Sequence, residues 1–169
     1  KMAGQRSRIT RMGMVNGQPL IKELEEFTPP EIKKTMQETR GGSFIPGEIW
    51  VGLEKMNAKA KVKGANQELL SAFGMAPGDL CQFDVKESHQ DEDGNKFAIT
   101  YSCTGEITSV SESPSKMGEL PDQELEMSVV AYKKTESGKT IYDIDRNAQI
   151  LDLGQGDLMV EHRRNIGMA

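Results

Sequence analysis

Along most of the chain apolar side chains fall at every second position, the period of a strand with one buried and one solvated face. Ile9 to Val15 predicts a short strand closed by Asn16-Gly17, a dipeptide that tolerates positive φ in a tight turn. Leu20 to Phe27 continues as an irregular extended piece until Pro29-Pro30, whose rings remove two ladder donors. Glu31 to Arg40 sets Ile32 and Met36 against Glu31, Lys33, Thr35, Gln37 and Thr39. Beyond a glycine-rich stretch, Ile49 to Val51 and then Met56, Ala58, Ala60 and Val62 alternate with Lys55, Asn57, Lys59, Lys61 and Lys63. Together these segments predict one long protruding hairpin over residues 31–63, its tip near 41–47.

The period changes once. Leu69, Leu70 and Phe73 follow helical spacing between Asn66, a good N-cap, and Gly74, which predicts a short helix over 66–73. Strand alternation then returns in Leu80 to Lys86, turns at Asp91 to Asn95, and comes back through Phe97, Ile99, Tyr101, Cys103 and Ile107 with a bend expected near Gly105. Pro114 to Pro121 reads as a loop, Glu124 to Lys133 as a strand, Ser137-Gly138 as a turn, and Thr140 to Ile144 and Ile150 to Leu153 as further strands. Residues 1–8 form an N-terminal arm. In the C-terminal segment, 154–169, Asp157 to Arg164 suits a second short helix capped by Asp157. The sum is a single mainly-β domain over 1–169, a small antiparallel barrel or sandwich with a short flanking α-helix.

Composition narrows the possibilities. A chain of 169 residues is one domain's worth, and only 5% of it is aromatic, so the core must rely on aliphatic side chains and on some of the 10 Met. The formal net charge of -5 argues against a general nucleic-acid coat or a ligand for anionic membranes. Cys81 and Cys103 have no CxxC spacing and no neighbouring His, so a reduced compartment is expected. The basic start (Lys1, Arg6, Arg8, Arg11) leads into no apolar signal core and no run of spanning length follows, so neither export nor membrane insertion is expected. An initiator Met is expected to precede Lys1.

Chemistry is harder to find. Gly42-Ser43-Phe44-Ile45-Pro46-Gly47 has the glycine spacing of a phosphate loop, but Glu48-Ile49 stands where Lys-Ser/Thr is needed and a carboxylate repels phosphate. Asp91-Glu92-Asp93-Gly94-Asn95 opens like a calcium loop, yet its glycine comes too early and Ser102 stands in place of the closing Glu. His89, beside that acidic turn, is expected to be solvated, and His162 lies far from it without zinc spacing. Cys81 and Cys103 occupy the apolar phase of their strands and are expected in the core. Glu124 and Glu126 share a strand face as a hydrolase dyad would, but on so acidic a chain a solvated face is the simpler reading. No enzyme activity, cofactor or metal is expected.

Glu161-His162-Arg163-Arg164-Asn165-Ile166-Gly167 closely resembles the terminal motif of the FII-type major tail tube proteins of contractile-tailed phages. The likeness extends to Tyr142-Asp143-Ile144-Asp145, Val15-Asn16-Gly17, Pro30 with Ile32 and Met36, Arg40-Gly41-Gly42 and Gly52-Leu53-Glu54. Residues 86–121 match only in length and strand pattern, and R-type pyocin tubes look similar but share the terminal string less well. The resemblance implies a structural subunit with no activity, in hexameric rings stacked into a tube inside a contractile sheath. Implied partners are other copies, the sheath, tape measure, baseplate and tail terminator proteins, and duplex DNA in the lumen. The implied location is the virion tail, assembled in the host cytoplasm.

Six subunits lending four strands each at about 4.8 Å spacing make a ring barrel of roughly 115 Å circumference. A tilt of about 40° brings its diameter near 50 Å, which admits a DNA duplex. Two surfaces are then expected to carry function. The strand face with Lys59, Lys61 and Lys63 either lines the lumen, neutralised by Glu31 across the hairpin and by Glu124 and Glu126 from a neighbouring strand, or turns away from DNA; Lys33 belongs to the same hairpin. Phe44, Ile45 and Pro46 at the hairpin tip are expected to dock into the adjacent ring, and His162, Arg163 and Arg164 to contact another subunit or the sheath. The alternatives are the tube of a DNA-free injection particle, either an R-type bacteriocin or type VI-like, and a monomeric ligand- or nucleic-acid-binding barrel. The last needs aromatics on the basic face, which the lysine strand lacks.

Overall fold

Alternating apolar side chains need a second layer to cover them, and here the chain supplies both layers from one folded sheet. The computed structural model describes residues 4–20, 23–64, 74, 76–114 and 116–168. In chain order the strands are β1 (Arg6–Val15), β2 (Gln18–Leu20), β3 (Leu24–Thr28), β4 (Lys34–Thr39), β5 (Gly47–Leu53), β6 (Met56–Lys63), β7 (Cys81–Asp91), β8 (Lys96–Glu112), β9 (Asp122–Glu136), β10 (Lys139–Asp145) and β11 (Ile150–Asp152). One helix, α1 (Val160–Asn165), follows. The helix expected over 66–73 lies outside the described residues.

β8 and β9 form the spine, and every other strand except β4 and β5 hangs on them. Where Thr104 faces Ala131 and Gly105 already faces Val129, the register shifts and Val130 is left over. Such a bulge bends the pair, and the bend requires glycine: a Cβ on Gly105 would lie 2.1 Å from the Ser128 carbonyl oxygen. On one side of this corner the order is β11-β10-β9-β8-β7-β1-β2. On the other, Asp122–Val129 of β9 carries β6, and β6 carries β3.

The core lies between the two layers. Val15, Phe83, Val85, Tyr101 and Cys103 face Ala58, Val62, Ile107, Leu125 and Met127, all buried. Phe27 reaches across from β3, its ring centroid 5.5 Å from both Phe83 and Tyr101, tilted contacts worth about 0.5–1.5 kcal/mol beyond area burial. Asn16 (φ 47°) and Gly17 (φ 87°) make the expected tight turn between β1 and β2.

The folded sheet does not close into a barrel. Among the described residues β1 and β3 do not pair, although the Arg11 guanidinium donates to the Glu25 carbonyl oxygen between them. The protruding hairpin is also shorter than 31–63: it comprises β4 and β5 alone, Lys34 facing Leu53 and Thr39 facing Gly47. β6 leaves it because Met56, Ala58, Ala60 and Val62 are buried, and only the core sheet offers them cover. Glu31 therefore does not oppose Lys61 or Lys63; it lies before β4, while Lys33 sits at the hairpin base, Nζ 3.8 Å from Glu54 Oε2.

Candidate assembly surfaces

The outer face of the β3-β6-β9-β8 layer is polar throughout, and its register sorts the charges into columns. Thr28, Lys59, Glu126 and Ser109 form one row across the four strands; Glu26, Lys61, Glu124 and Ser111 form the next. Asn57, Ser128 and Glu106 extend the face at one end, and Lys63 with Asp122 at the other. Each β6 lysine thus faces a carboxylate on β9, and Lys61 has Glu26 on its β3 side as well: Lys61 Nζ is 4.0 Å from Glu25 Oε2, and Lys63 Nζ is 3.9 Å from Asp122 Oδ1. Opposed charges on neighbouring strands contribute roughly 0.2–1 kcal/mol per pair. The face carries no aromatic side chain in these rows, so it offers no stacking platform for bases.

Among the described residues this layer also has two free edges. There β3 pairs only with β6. β8 pairs with β7 as far as Gly105, so Glu106–Glu112 has β9 on one side and no strand on the other among the described residues.

The hairpin exposes large apolar side chains among its polar ones. Met36 faces Trp50, which is 39% exposed, and Ile49 and Val51 are more exposed still. At the tip Phe44 is 86% and Ile45 61% exposed, on a turn pinned by Ser43, whose Oγ donates to the Ile45 carbonyl at 2.9 Å. An isolated two-stranded hairpin is marginal in water, and large exposed apolar patches mark interaction sites.

In the C-terminal segment Asp157 does not cap α1, which begins three residues later with Met159 at the N-cap. Its Oδ1 instead accepts the Leu151 N–H at 3.2 Å and the Met159 N–H at 3.0 Å, and Oδ2 lies 2.6 Å from Arg163 Nη1. Its pKa is lowered, chiefly by the Met159 N–H, with the Leu151 N–H and Arg163 adding to this against the cost of burial. Arg163 also donates to the Gln149 carbonyl at 2.7 Å. Arg163 is therefore an internal tie, whereas His162 and Arg164 are exposed among Leu158, Val160 and Ile166, also exposed.

One charged cluster escaped the sequence pattern. Glu87 is buried, its Oε2 2.9 Å from Arg8 Nε and 3.9 Å from Arg11 Nη1, with His89 Nε2 3.0 Å from Oε1. His89 is half-buried rather than solvated, because it and Glu87 continue the inward phase of Cys81, Phe83 and Val85. Beside them Arg6 lies 3.6 Å over the Phe97 ring and pairs with Glu136. Cys81 and Cys103 are in the core as expected, and burial pushes their thiols up to about 11 and about 12, so both stay protonated and non-nucleophilic at neutral pH.

Among curated protein sequences none matches this chain. Solved structures that share its fold include the sheath-tube complex of an extracellular contractile injection system in the extended state, and the sheath/tube terminator of the same system. Each has a TM-score of 0.56 at 11% identity over 75% of this chain, covering 88% and 93% of the respective partner. The family described as phage tail tube protein FII matches residues 10–167, nearly the whole sequence. The chain belongs to the phage tail tube protein FII family.

Proposed function

We propose that this protein is a structural tube subunit without enzymatic activity, six copies closing into a ring by pairing the β3 edge of one with the Glu106–Glu112 edge of β8 in the next. The carrying observation is the four-stranded layer with a polar outer face and a free edge on each side. Exposed sheet edges invite pairing with another chain, and a closed ring removes both edges of this layer. The polar face then lines the lumen, and rings stack through the hairpin tip with Phe44, Ile45 and Pro46. The tube sits inside a contractile sheath, capped by a terminator, in the tail of a phage particle.

The lumen chemistry supports duplex DNA as cargo, with the tape measure protein before it. Lys59, Lys61 and Lys63 are met by Asp122, Glu124 and Glu126 on β9 and by Glu26 on β3, with Glu106 beyond. Carboxylates outnumber lysines, so a polyanion finds no uncompensated cationic track to release its counterions onto. A DNA-free particle is the second reading, favoured by the likeness to an injection-system tube; nucleic acid extracted from native particles, or its absence, decides between them.

Hydrogen exchange tests the ring. Outward-pointing amides of Leu24–Thr28 and Glu106–Glu112 should exchange freely in the subunit and become protected in tubes. Tubes in which these amides still exchange would contradict the edge pairing, and chains that never assemble would contradict the tube reading.

A further inference from the structure

On one face of the β4–β5 hairpin the pair Met36 and Trp50 is followed toward the tip by Glu38 directly opposite Glu48. Like charges facing each other across strands destabilise a hairpin, and both glutamates are exposed, as are Met36 and Trp50. Among the described residues neither glutamate forms an ion pair, not even with Arg40 two residues beyond Glu38, and Lys33 and Lys34 lie at the hairpin's other end. A surface that covers this face must present apolar side chains next to a cation.

The C-terminal segment has that composition. Met159 packs against the core and Arg163 is tied to Asp157, so Val160 and Arg164, each one residue further on and four apart, share the adjoining face of α1. Both are exposed, flanked by exposed Leu158 and Ile166, with His162 beside them. Two other surfaces are less suitable. Met117 and Leu120 are exposed where Lys116 is outnumbered by Glu112, Glu119 and Asp122, and on β6 Lys59 and Lys61 already face Glu126 and Glu124.

We propose that the hairpin of one copy seats on the C-terminal segment of a neighbouring copy, Met36 and Trp50 against Val160 and Ile166, and Glu38 with Glu48 around Arg164. This rests on the tube reading and names the two patches that join copies. It also gives His162 and Arg164 a partner within the tube, leaving the sheath to other surfaces.

The test is charge exchange in the full chain. Glu48→Arg alone and Arg164→Glu alone should each raise the concentration needed for tube formation by about tenfold or more, since close interfacial charge pairs couple by roughly 1.5 kcal/mol upward. Glu48→Arg combined with Arg164→Glu in one chain should restore assembly. Either single variant assembling like the wild type overturns the proposal. So does failure of the double variant to recover while its circular dichroism stays native, which would place the hairpin on another surface such as the sheath. Trp50 is the sole tryptophan and provides a reading without substitution: its emission should move to the blue and resist a soluble quencher on assembly. Wild-type tubes with Trp50 as quenchable as in the subunit overturn the pairing, and wild-type chains that form no tubes overturn the tube reading beneath it.

Discussion

Arg8 Nε lies 2.9 Å from Glu87 Oε2, which binds the first half of β1 to β7 through a carboxylate whose side chain is only 2% exposed. Arg11 and His89 complete its surroundings. The two sides of this cluster should respond unequally. Arg8, already half exposed, can rehydrate if Glu87 is removed, but the buried Glu87 carboxylate loses both its cations if the arginines are. Arg8→Ala with Arg11→Ala should therefore cost about 3 kcal/mol or more, as expected for a stranded buried charge, and Glu87→Gln about 1–2 kcal/mol. Urea titrations of the three proteins check the order.

Gly105→Ala should be among the most damaging substitutions in the molecule. Its Cβ would meet the Ser128 carbonyl at 2.1 Å, and the clash is with backbone that cannot rotate away. The corner must open, and with it the contact between layers, so a loss of about 3 kcal/mol or more is expected. A midpoint shift in denaturant below half of that would mean the corner tolerates a side chain.

Acid should loosen the C-terminal segment first. Folding lowers the pKa of Asp157, so the stability contributed by its clasp on Leu151, Met159 and Arg163 is complete above the unfolded value of about 3.9 and is lost as pH falls through the folded value. Asp157→Asn should remove that part of the acid dependence below about pH 4 and leave the neutral range flat. Amide exchange at Met159 and Leu151, followed against pH, reads it.

How much of this was legible beforehand depends on what each signal encodes. The turns at Asn16-Gly17 and Ser137-Gly138 and the bend at Gly105 were readable, since each rests on local backbone geometry or space. The partner of β6 was not: alternation shows which face is buried but never which strand lies beside it, so the sequence equally suits Glu31 opposite Lys61 or Lys63 and Glu124 and Glu126 from a neighbouring strand, and of these Glu124 and Glu126 face Lys61 and Lys59. Glu87 had a signal, the continued inward phase after Val85, but a carboxylate in a core position carries no hint of which arginine answers it. Arg163 stood in a recognisable motif, yet its tie to Asp157 depends on the turn before α1 and not on spacing.

The tip should matter for assembly and not for folding. Phe44→Ser with Ile45→Ser removes side chains that touch water already, so melting should change little, while tube extension beyond single rings should fail. Normal tube lengths in electron micrographs would exclude the tip from the ring-to-ring contact.

Lumen charge should be tunable without loss of assembly. Asp122→Asn, Glu124→Gln and Glu126→Gln together leave the β6 lysines uncompensated on the β9 side. Tubes of this variant should retain duplex DNA at low salt and release it as salt rises, each neutralised phosphate adding about 0.9 to the slope of log affinity against log salt; wild-type tubes should retain none. Equal behaviour of the two would mean that this face does not line the lumen.

The central claim is that the chain assembles through its open edges, and negative-stain electron microscopy of the purified protein at high concentration tests it most directly. Six-fold rings or tubes with an open lumen are the predicted result. Particles of subunit size alone, at every concentration examined, would contradict it.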